Sequence, residues 1–186
     1  MSGEGLAEIW ERLLASRCQP ADVPAIDLPG IYALYLTPGT ALPDVVTEMS
    51  GLLYIGMTES SLVERNHLTR KASGFSSPRR SLGTLLKQKL DLRAVPRSLG
   101  LSASNIRNFS FTPEGESRLT DWMMAHLDYG FATIQHDVKR VEGRLIAERR
   151  PPLNLTGWKN PQAAHIKALR QHCRDDAGRA RSRAPA

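Results

Sequence analysis

Cysteines are few in this sequence, and long apolar runs are missing. The two cysteines, Cys18 and Cys173, lie far apart and have no zinc-type spacing around them, which favours ordinary thiols over a disulfide framework or a zinc site. No run reaches the ~18 apolar residues of a membrane-spanning helix, and the acidic N-terminus lacks a secretory or transit pattern. We therefore predict a soluble, cytoplasmic protein that has no membrane partner.

Aromatic residues are also scarce, but the chain has enough apolar residues to form a core. Aromatic residues make up 6% of the sequence, hydrophobic residues 41% and charged residues 24%. This balance excludes wholesale disorder, a collagen-like chain and a low-complexity chain. The 186 residues suit one ordinary globular domain.

Acidic residues are almost absent from one part of the chain. Residues 65–97 contain nine basic residues and one acid, a net charge of +8, whereas residues 1–58 carry a net charge of −5. Such a concentration of positive charge is typical of a surface that binds a phosphate backbone, although composition alone leaves a solvated face as the alternative. The candidate nucleic-acid contacts are Arg70, Lys71, Arg79, Arg80, Lys87 and Lys89.

Apolar periodicity predicts the order of the structural elements. Residues 30–36 and 52–56 are short β-rich runs, which predict an antiparallel pair joined by a long loop. Ser61 followed by Glu64 is a capping-box pattern, so we predict a helix over residues 62–71 with Arg65 in its second turn. Further helices are predicted near 6–17, 82–90, 119–127, 138–149 and 162–174, with strands near 109–111 and 131–134 and a disordered tail from Asp175.

One carboxylate falls among the apolar positions of a predicted helix. On a helical wheel, Val138, Val141 and Leu145 lie on one stripe, and Glu142 falls inside it. An unpaired carboxylate that faces a core is costly, so we expect Glu142 to meet a metal ion or an arginine. The alternative is that Glu142 lies at the edge of the stripe and pairs with Lys139.

The two strand runs carry a recognisable pair of motifs. The first begins with Gly30-Ile31-Tyr32, and the second contains Tyr54-Ile55-Gly56. Together they match the signature of the GIY-YIG endonuclease superfamily, which this chain resembles over about residues 28–154. The resemblance implies an α/β (α+β) fold with a small, mixed, mainly antiparallel sheet flanked by helices.

The resemblance also suggests how the chain is divided. We predict an N-terminal packing helix and connector at 1–27, and a nuclease-like domain at 28–158 with a basic insertion at about 66–118. Residues 159–186 are predicted to form a C-terminal helix and a basic disordered tail. No separate DNA-reading domain is expected, so recognition would come from the insertion, from the terminal helices or from a homodimer.

Three further residues match the family's pattern in order. The family places an arginine after the second motif, a metal-binding glutamate on a later helix and an asparagine after that helix, and Arg65, Glu142 and Asn154 occupy these places. The resemblance implies that Glu142 holds one Mg²⁺ ion, with Mn²⁺ as a substitute, and that Arg65 binds phosphate oxygens. No small-molecule organic cofactor is expected.

The same resemblance assigns catalytic roles to the two motif tyrosines. Tyr32 would take a proton from the attacking water, and Tyr54 would orient the water or the phosphate. Because a free phenol has a pKa near ~10, Tyr32 would need a second base or nearby cations, for which Arg65, Lys71 and the metal are candidates. The implied activity is Mg²⁺-dependent hydrolysis of DNA phosphodiester bonds with a single metal ion.

The chain departs from the family's pattern at one position. Several members carry a histidine one helical turn after the arginine, where this chain has Thr69. His67 is therefore a candidate catalytic residue, with a surface role as its alternative. The implied endonuclease would serve restriction and defence or structure-specific repair. A catalytically inactive nucleic-acid-binding module of the same fold and a hydrolase of small phosphoesters are the alternative functions.

Overall fold

A three-stranded antiparallel sheet lies at the centre of the fold. The computed structural model describes residues 5–66, 68, 72–98 and 102–182. In the sheet, β1 (Gly30–Leu36) pairs with β2 (Leu52–Thr58) on one side and with β5 (Leu127–Thr133) on the other. This confirms the α/β fold with a small sheet flanked by helices, although the described pairings of this sheet are all antiparallel rather than mixed.

Helices and a second small sheet complete the described fold. In the second sheet, β3 (Ala94–Val95) pairs antiparallel with β4 (Ser110–Phe111). None of the described helices is both long and apolar enough to cross a membrane. The α-helices are α1 (Leu6–Ala15), α2 (Ser77–Leu85), α3 (Ala103–Arg107), α4 (Pro113–His126), α5 (Val138–Arg149) and α6 (Ala163–Ser182).

The central strand is buried because helices cover both faces of the sheet. All residues of β1 are buried, and its side chains alternate between two hydrophobic clusters. Ile31 and Tyr35 pack with α1 and α5 on one face. Tyr32 and Leu34 pack with α2, α4 and α6 on the other face. Burial on both faces explains why the sequence of β1 is a continuous apolar run.

The helix predicted over residues 62–71 is not formed in the described residues of that segment. The Ser61 hydroxyl does accept a backbone N–H three residues later at 3.3 Å, and one turn follows. The chain then leaves helical geometry because the Asn66 side chain accepts the Leu68 N–H at 2.9 Å, a local alternative to the helical hydrogen bond. Arg65 therefore projects from a turn after β2 and not from a helix.

The C-terminal region is more ordered than its composition indicates. Composition predicts a disordered tail from Asp175, but α6 continues to Ser182. The cause is a buried stripe along this helix, since Cys173 and Ala177 are fully buried. Asp176 adds ion pairs to one cation on the same helix and to one after α2. The prediction of disorder is therefore corrected for residues 175–182.

Candidate active site

The two signature motifs lie side by side on paired strands. Tyr32 on β1 is directly opposite Gly56 on β2. A Cβ atom at Gly56 would overlap the hydroxyl and the ring of Tyr32, so the phenol can lie across β2 only because this residue is glycine. A Cβ atom at Gly30 would overlap the carbonyl oxygen of Ala132 on β5. The motif glycines thus make room for the tyrosine and for the close approach of the strands.

The motif tyrosines form a cluster with a third tyrosine from β5. The rings of Tyr32 and Tyr129 are stacked, with centroids 5.7 Å apart and an interplanar angle of 3°. The Tyr54 ring lies 6.1 Å from Tyr32 and is tilted by 36°. Burial, followed by the interaction with Tyr54, raises the pKa of Tyr32 well above its ordinary value. The Tyr32 phenol therefore keeps its proton at neutral pH in this arrangement.

Arg65 supplies positive charge to the tyrosine cluster. Burial raises the pKa of Tyr32, Tyr54 and Glu142, and the Arg65 guanidinium opposes this rise in all three. One cation can act on all three groups only if it lies close to each of them. Arg65 is exposed and lines an open cavity of about 360 Å³ beside the end of β2. Its guanidinium is thus accessible to a ligand from solvent.

Helix α5 places Glu142 close to Tyr54. The apolar side of α5, including Leu145 and Ile146, packs on the sheet, and α5 contacts β2. Burial first, and then the charge of Glu142, raise the pKa of Tyr54. Burial also raises the pKa of Glu142, against the effects of Arg65 and Lys139. Glu142 forms no ion pair with Lys139 or with any other described residue, so the expected alternative of a Lys139 pair is not observed.

Four of the predicted site residues therefore converge beside β2. Tyr32 and Tyr54 lie on adjacent strands, Arg65 follows them on a turn, and Glu142 comes from α5. The guanidinium can bind phosphate oxygens, the carboxylate can hold a cation, and the two phenols can hold or pass a proton. Groups of these kinds can assist the hydrolysis of a phosphodiester bond.

A comparison with known families decides the assignment. A family model of the GIY-YIG catalytic domain matches residues 30–175, which is most of the chain. The chain belongs to the GIY-YIG family. Searches of the curated proteins and of the solved structures give no significant match. GIY-YIG membership supports a nuclease, and GIY-YIG nucleases generally depend on a divalent metal.

In this GIY-YIG chain, Asn154 is hydrogen-bonded to the backbone of the second motif. Its Oδ1 accepts the Ile55 N–H at 2.9 Å, and its Nδ2 donates to the Ile55 carbonyl oxygen at 2.8 Å. The side chain is buried, with 7% exposure. Both functional groups of the amide are therefore in use, and they hold the segment after α5 against β2. A catalytic role of Asn154 stays a prediction.

Glu142 is the residue of the GIY-YIG site that fits a divalent cation. Among the described residues, no three His, Cys, Asp or Glu side chains are grouped as metal ligands. A single carboxylate suits a hard ion such as Mg²⁺, which keeps most of its water ligands. Glu142 is only partly buried and has no ion-pair partner among the described residues, so its oxygens are available to such an ion.

Arg79 requires a correction to the predicted nucleic-acid contacts. Its side chain is 2% exposed and donates to the Glu116 carboxylate at 2.8 Å and to the Thr120 hydroxyl at 2.9 Å. The sequence predicts a loop at this position, but α2 begins at Ser77 and turns Arg79 inward. Arg79 therefore joins α2 to α4 and is not available to a phosphate at the surface.

The other predicted contacts differ in exposure. Arg80 is partly buried and donates to two backbone carbonyl oxygens before α2, at 2.9 and 3.0 Å. Lys87 forms an ion pair with α6, whereas Lys89 is exposed. A nucleic-acid contact by any of these three residues stays a prediction. The predicted residues that lie outside the described part of the chain are His67, Arg70 and Lys71.

The sequence analysis missed two arginines of α6. Arg170 and Arg174 line a cavity of about 600 Å³ that Tyr54 also lines. Arg170 is 8% exposed and lies on the buried stripe of α6, three residues before the buried Cys173. A charged residue within an apolar stripe is the same signal that indicated Glu142. The helical pattern of residues in α6 could therefore have identified Arg170 as a candidate site residue.

Proposed function

We propose that this GIY-YIG protein is a DNA endonuclease that hydrolyses phosphodiester bonds with one Mg²⁺ ion, for which Mn²⁺ can substitute. The observation that supports this most directly is the convergence of Arg65, Glu142, Tyr32 and Tyr54 beside β2. The reaction is demanding, because phosphate-ester hydrolysis without a catalyst is so slow that the site must supply upwards of ~15 kcal/mol. Such stabilisation requires positive charge at the phosphate.

Arg65 and the cation that Glu142 would hold provide this positive charge in the proposed mechanism. The exposed Arg65 guanidinium, beside an open cavity, can donate two parallel hydrogen bonds to oxygens of the scissile phosphate, a geometry that lysine cannot copy. Glu142 would hold the cation, which when bound would neutralise negative charge on the phosphate and on the leaving oxygen. The two side chains therefore act on the same phosphate from different elements of the fold.

Tyr32 and Tyr54 handle the proton of the attacking water. Tyr54 lines a cavity, so its hydroxyl is assigned to orient the water or the phosphate. The neighbouring Tyr32 is fully buried, and its Oη is assigned to accept the proton as a phenolate, after the phenol has released its own proton to solvent. Burial and the interaction with Tyr54 raise the pKa of Tyr32. The positive charge of Arg65 acts in the opposite direction, so it favours formation of the Tyr32 phenolate.

Cleavage of several DNA forms tests the proposal. The protein is incubated with supercoiled plasmid, branched DNA and single strands in Mg²⁺, Mn²⁺ or EDTA. We expect cleavage with either metal and none with EDTA. We expect Glu142→Gln to cut at least ~10³-fold more slowly, because the carboxylate that holds the cation is lost. Glu148→Gln is the matched control, since Glu148 lies on the same helix and is 49% exposed.

Two outcomes would contradict an endonuclease. If the wild type and Glu142→Gln bind DNA equally and neither cuts it, the chain is a nucleic-acid-binding module of the same fold. If the protein hydrolyses small phosphodiesters at high salt but leaves all the DNA forms intact, it is a small-molecule hydrolase. The basic charge of residues 65–97 favours a polymeric substrate.

The cleavage products distinguish restriction or defence from repair. We would sequence the ends that the protein produces from a random-sequence library and from forked and flapped DNA. A recurring sequence at the cut supports restriction or defence, whereas cutting confined to forks or flaps supports repair. Sedimentation of the protein with and without DNA tests whether a homodimer is the form that binds.

A further inference from the structure

Arg80, Arg170 and Arg174 lie close together beside Tyr54. Arg170 and Arg174 project from successive turns of α6 into the cavity of about 600 Å³ that Tyr54 also lines. Arg80 comes from α2, and the charges of Arg80 and Arg174 both act on Arg170. Two guanidinium groups of α6 thus line one cavity, and Arg80 of α2 lies near enough for its charge to act on Arg170.

No described residue neutralises Arg170. Its side chain is 8% exposed, its buried Nε has no hydrogen-bond acceptor among the described residues, and it forms no ion pair there. Burial, and then repulsion from Arg80 and Arg174, lower the pKa of Arg170 to about 10, so it remains charged at neutral pH. A buried charge without a partner destabilises a fold, and the packing of the described residues offers no ion pair that compensates for it.

The acidic residues of α6 have other partners. Asp176 forms ion pairs with two other cations, and Asp175 accepts a hydrogen bond from Gln171 at 2.8 Å. Neither carboxylate contributes to the pKa of Arg170 or of Arg80. The positive charge at the cavity is therefore uncompensated by the described carboxylates.

The rest of the cavity lining is suited to an oxyanion. Lys167 adds a further positive charge, and Ser77 and Thr156 contribute hydroxyl groups. Arg174 donates through Nε to a backbone carbonyl of α3 at 3.2 Å and through Nη1 to Gln171 at 3.2 Å, which restricts its orientation. Guanidinium and hydroxyl donors arranged around one space match the oxygens of a phosphate.

We propose that Arg170 and Arg174, assisted by Arg80, form a second phosphate site, which holds a backbone phosphate of the nucleic acid next to the phosphate that is cut. This assignment rests on the proposed nuclease function, which supplies a polymer of phosphates. Because Tyr54 lines the same cavity and also belongs to the catalytic cluster, a phosphate held here fixes how the strand lies across Tyr54. The arginines are positioning residues.

Thermal unfolding in inorganic phosphate tests the site without an activity assay. The wild type, Arg170→Gln, Arg174→Gln and Arg179→Gln are compared in sodium phosphate and in sodium chloride at equal ionic strength. Arg179 lies nine residues after Arg170 on the same helix, on the opposite side, and is 63% exposed. We expect phosphate to raise the unfolding temperature of the wild type and of Arg179→Gln, and to have little effect on the other two variants.

The unfolding temperatures in chloride show whether Arg170 has a structural role instead. We expect Arg170→Gln to unfold at the wild-type temperature or above it, because the substitution removes an uncompensated buried charge. Arg170→Lys keeps the charge without the planar donors, so it should show a reduced response to phosphate. A lower unfolding temperature of Arg170→Gln in chloride, with the full response to phosphate retained, would overturn the proposal.

Binding of a fluorescent DNA duplex without divalent metal shows whether the site takes a backbone phosphate. We expect Arg170→Gln and Arg174→Gln each to weaken binding about tenfold. Each should also reduce the slope of log affinity against log salt by about 1, whereas Arg179→Gln should do neither. Wild-type affinity for the duplex in the first two variants, combined with a lost response to phosphate, would mean a site for free phosphate and would overturn the proposal.

The cleavage assay keeps this inference separate from the proposed activity. If the wild type binds the duplex through Arg170 and Arg174 but cuts no DNA, the endonuclease assignment fails and the phosphate site is supported. If the wild type cuts DNA and both arginine variants bind the duplex with wild-type affinity, the phosphate site fails and the endonuclease assignment stands.

Discussion

Arg79 and Arg170 are both buried arginines on helices that contact each other, but their surroundings differ. Arg79 is 2% exposed and donates to the Glu116 carboxylate and to the Thr120 hydroxyl. Arg170 is 8% exposed and forms no ion pair with a described residue. The first arginine joins two helices, and the second faces a cavity. Burial of a charge therefore does not by itself indicate function, whereas burial without a counter-charge does.

Glu142 extends the comparison to a second unpaired charge that acts on Tyr54. This carboxylate is partly buried and, like Arg170, has no ion-pair partner among the described residues. Both residues affect the pKa of Tyr54, after burial as the largest cause. Unpaired charges of opposite sign thus act on one tyrosine, while paired charges such as Arg79 hold helices together elsewhere.

Among the changes that test this comparison, the largest expected effect is the loss of catalysis when Arg65 is changed. Arg65→Lys keeps the charge but loses the planar pair of donors, so we expect cleavage to slow by about 10²–10³-fold. The unfolding temperature should stay the same, because Arg65 is exposed. Single-turnover cleavage and thermal unfolding measure the two quantities. Arg140→Lys, at an exposed position on α5, is the control, and equal rates for both variants would remove Arg65 from the mechanism.

Replacing the paired arginine should affect stability instead. Arg79→Met is expected to lower the free energy of unfolding by about 3 kcal/mol, because the Glu116 carboxylate loses its buried partner. Urea denaturation measures the loss. The double variant Arg79→Met/Glu116→Gln should recover part of it. If Arg79→Met weakened DNA binding while leaving the free energy of unfolding unchanged, the contrast between Arg79 and Arg170 would be wrong.

A smaller loss of stability is expected at the contact between the two motifs. Gly56→Ala would force the Tyr32 ring to move, since the added Cβ overlaps it, and we expect a cost of about 1–3 kcal/mol. The same change in a Tyr32→Leu background should cost less, because the overlapping ring atoms are gone. A double-mutant cycle measured by urea denaturation gives the coupling. Additive losses would contradict the proposed contact.

The smallest effect concerns the dependence of stability on pH. Burial raises the pKa of Glu142 in the folded protein, so the ionised carboxylate lowers stability at neutral pH. This cost disappears as the pH falls below the unfolded-state pKa of about 4.3. We therefore expect Glu142→Gln to be slightly more stable than the wild type at pH 7, and the difference to shrink towards pH 4. A difference that grows on acidification would contradict a raised pKa.

The sequence predicts the members of the candidate site better than it predicts the pairing of the charges around them. Motif letters identify Tyr32 and Tyr54, and helical position identifies Glu142, because strand pairing and helical periodicity are visible in short stretches of sequence. Whether an arginine is neutralised depends on contacts between helices that are distant in the chain. Glu116, the partner of Arg79, lies 37 residues away, so no pattern in the residues around Arg79 predicts this ion pair.

Local sequence patterns also fail to predict where two helices end. The capping box at Ser61 is present and its hydrogen bond forms, yet the helix does not continue, because Asn66 offers the backbone another acceptor. At the other end of the chain, polar composition predicts disorder from Asp175, but Ala177 is buried against the core. In both places tertiary contacts and single side chains override composition.

The hydrogen bonds of Asn154 also affect the tendency of this protein to aggregate. β2 is an edge strand of its sheet, and such edges present backbone groups that can recruit a strand from another chain. Asn154 occupies both backbone groups of Ile55, and the Leu153 N–H donates to the Leu53 carbonyl oxygen at 2.9 Å. The segment after α5 therefore shields this edge from strand addition, so that the same contacts which support the second motif also oppose aggregation.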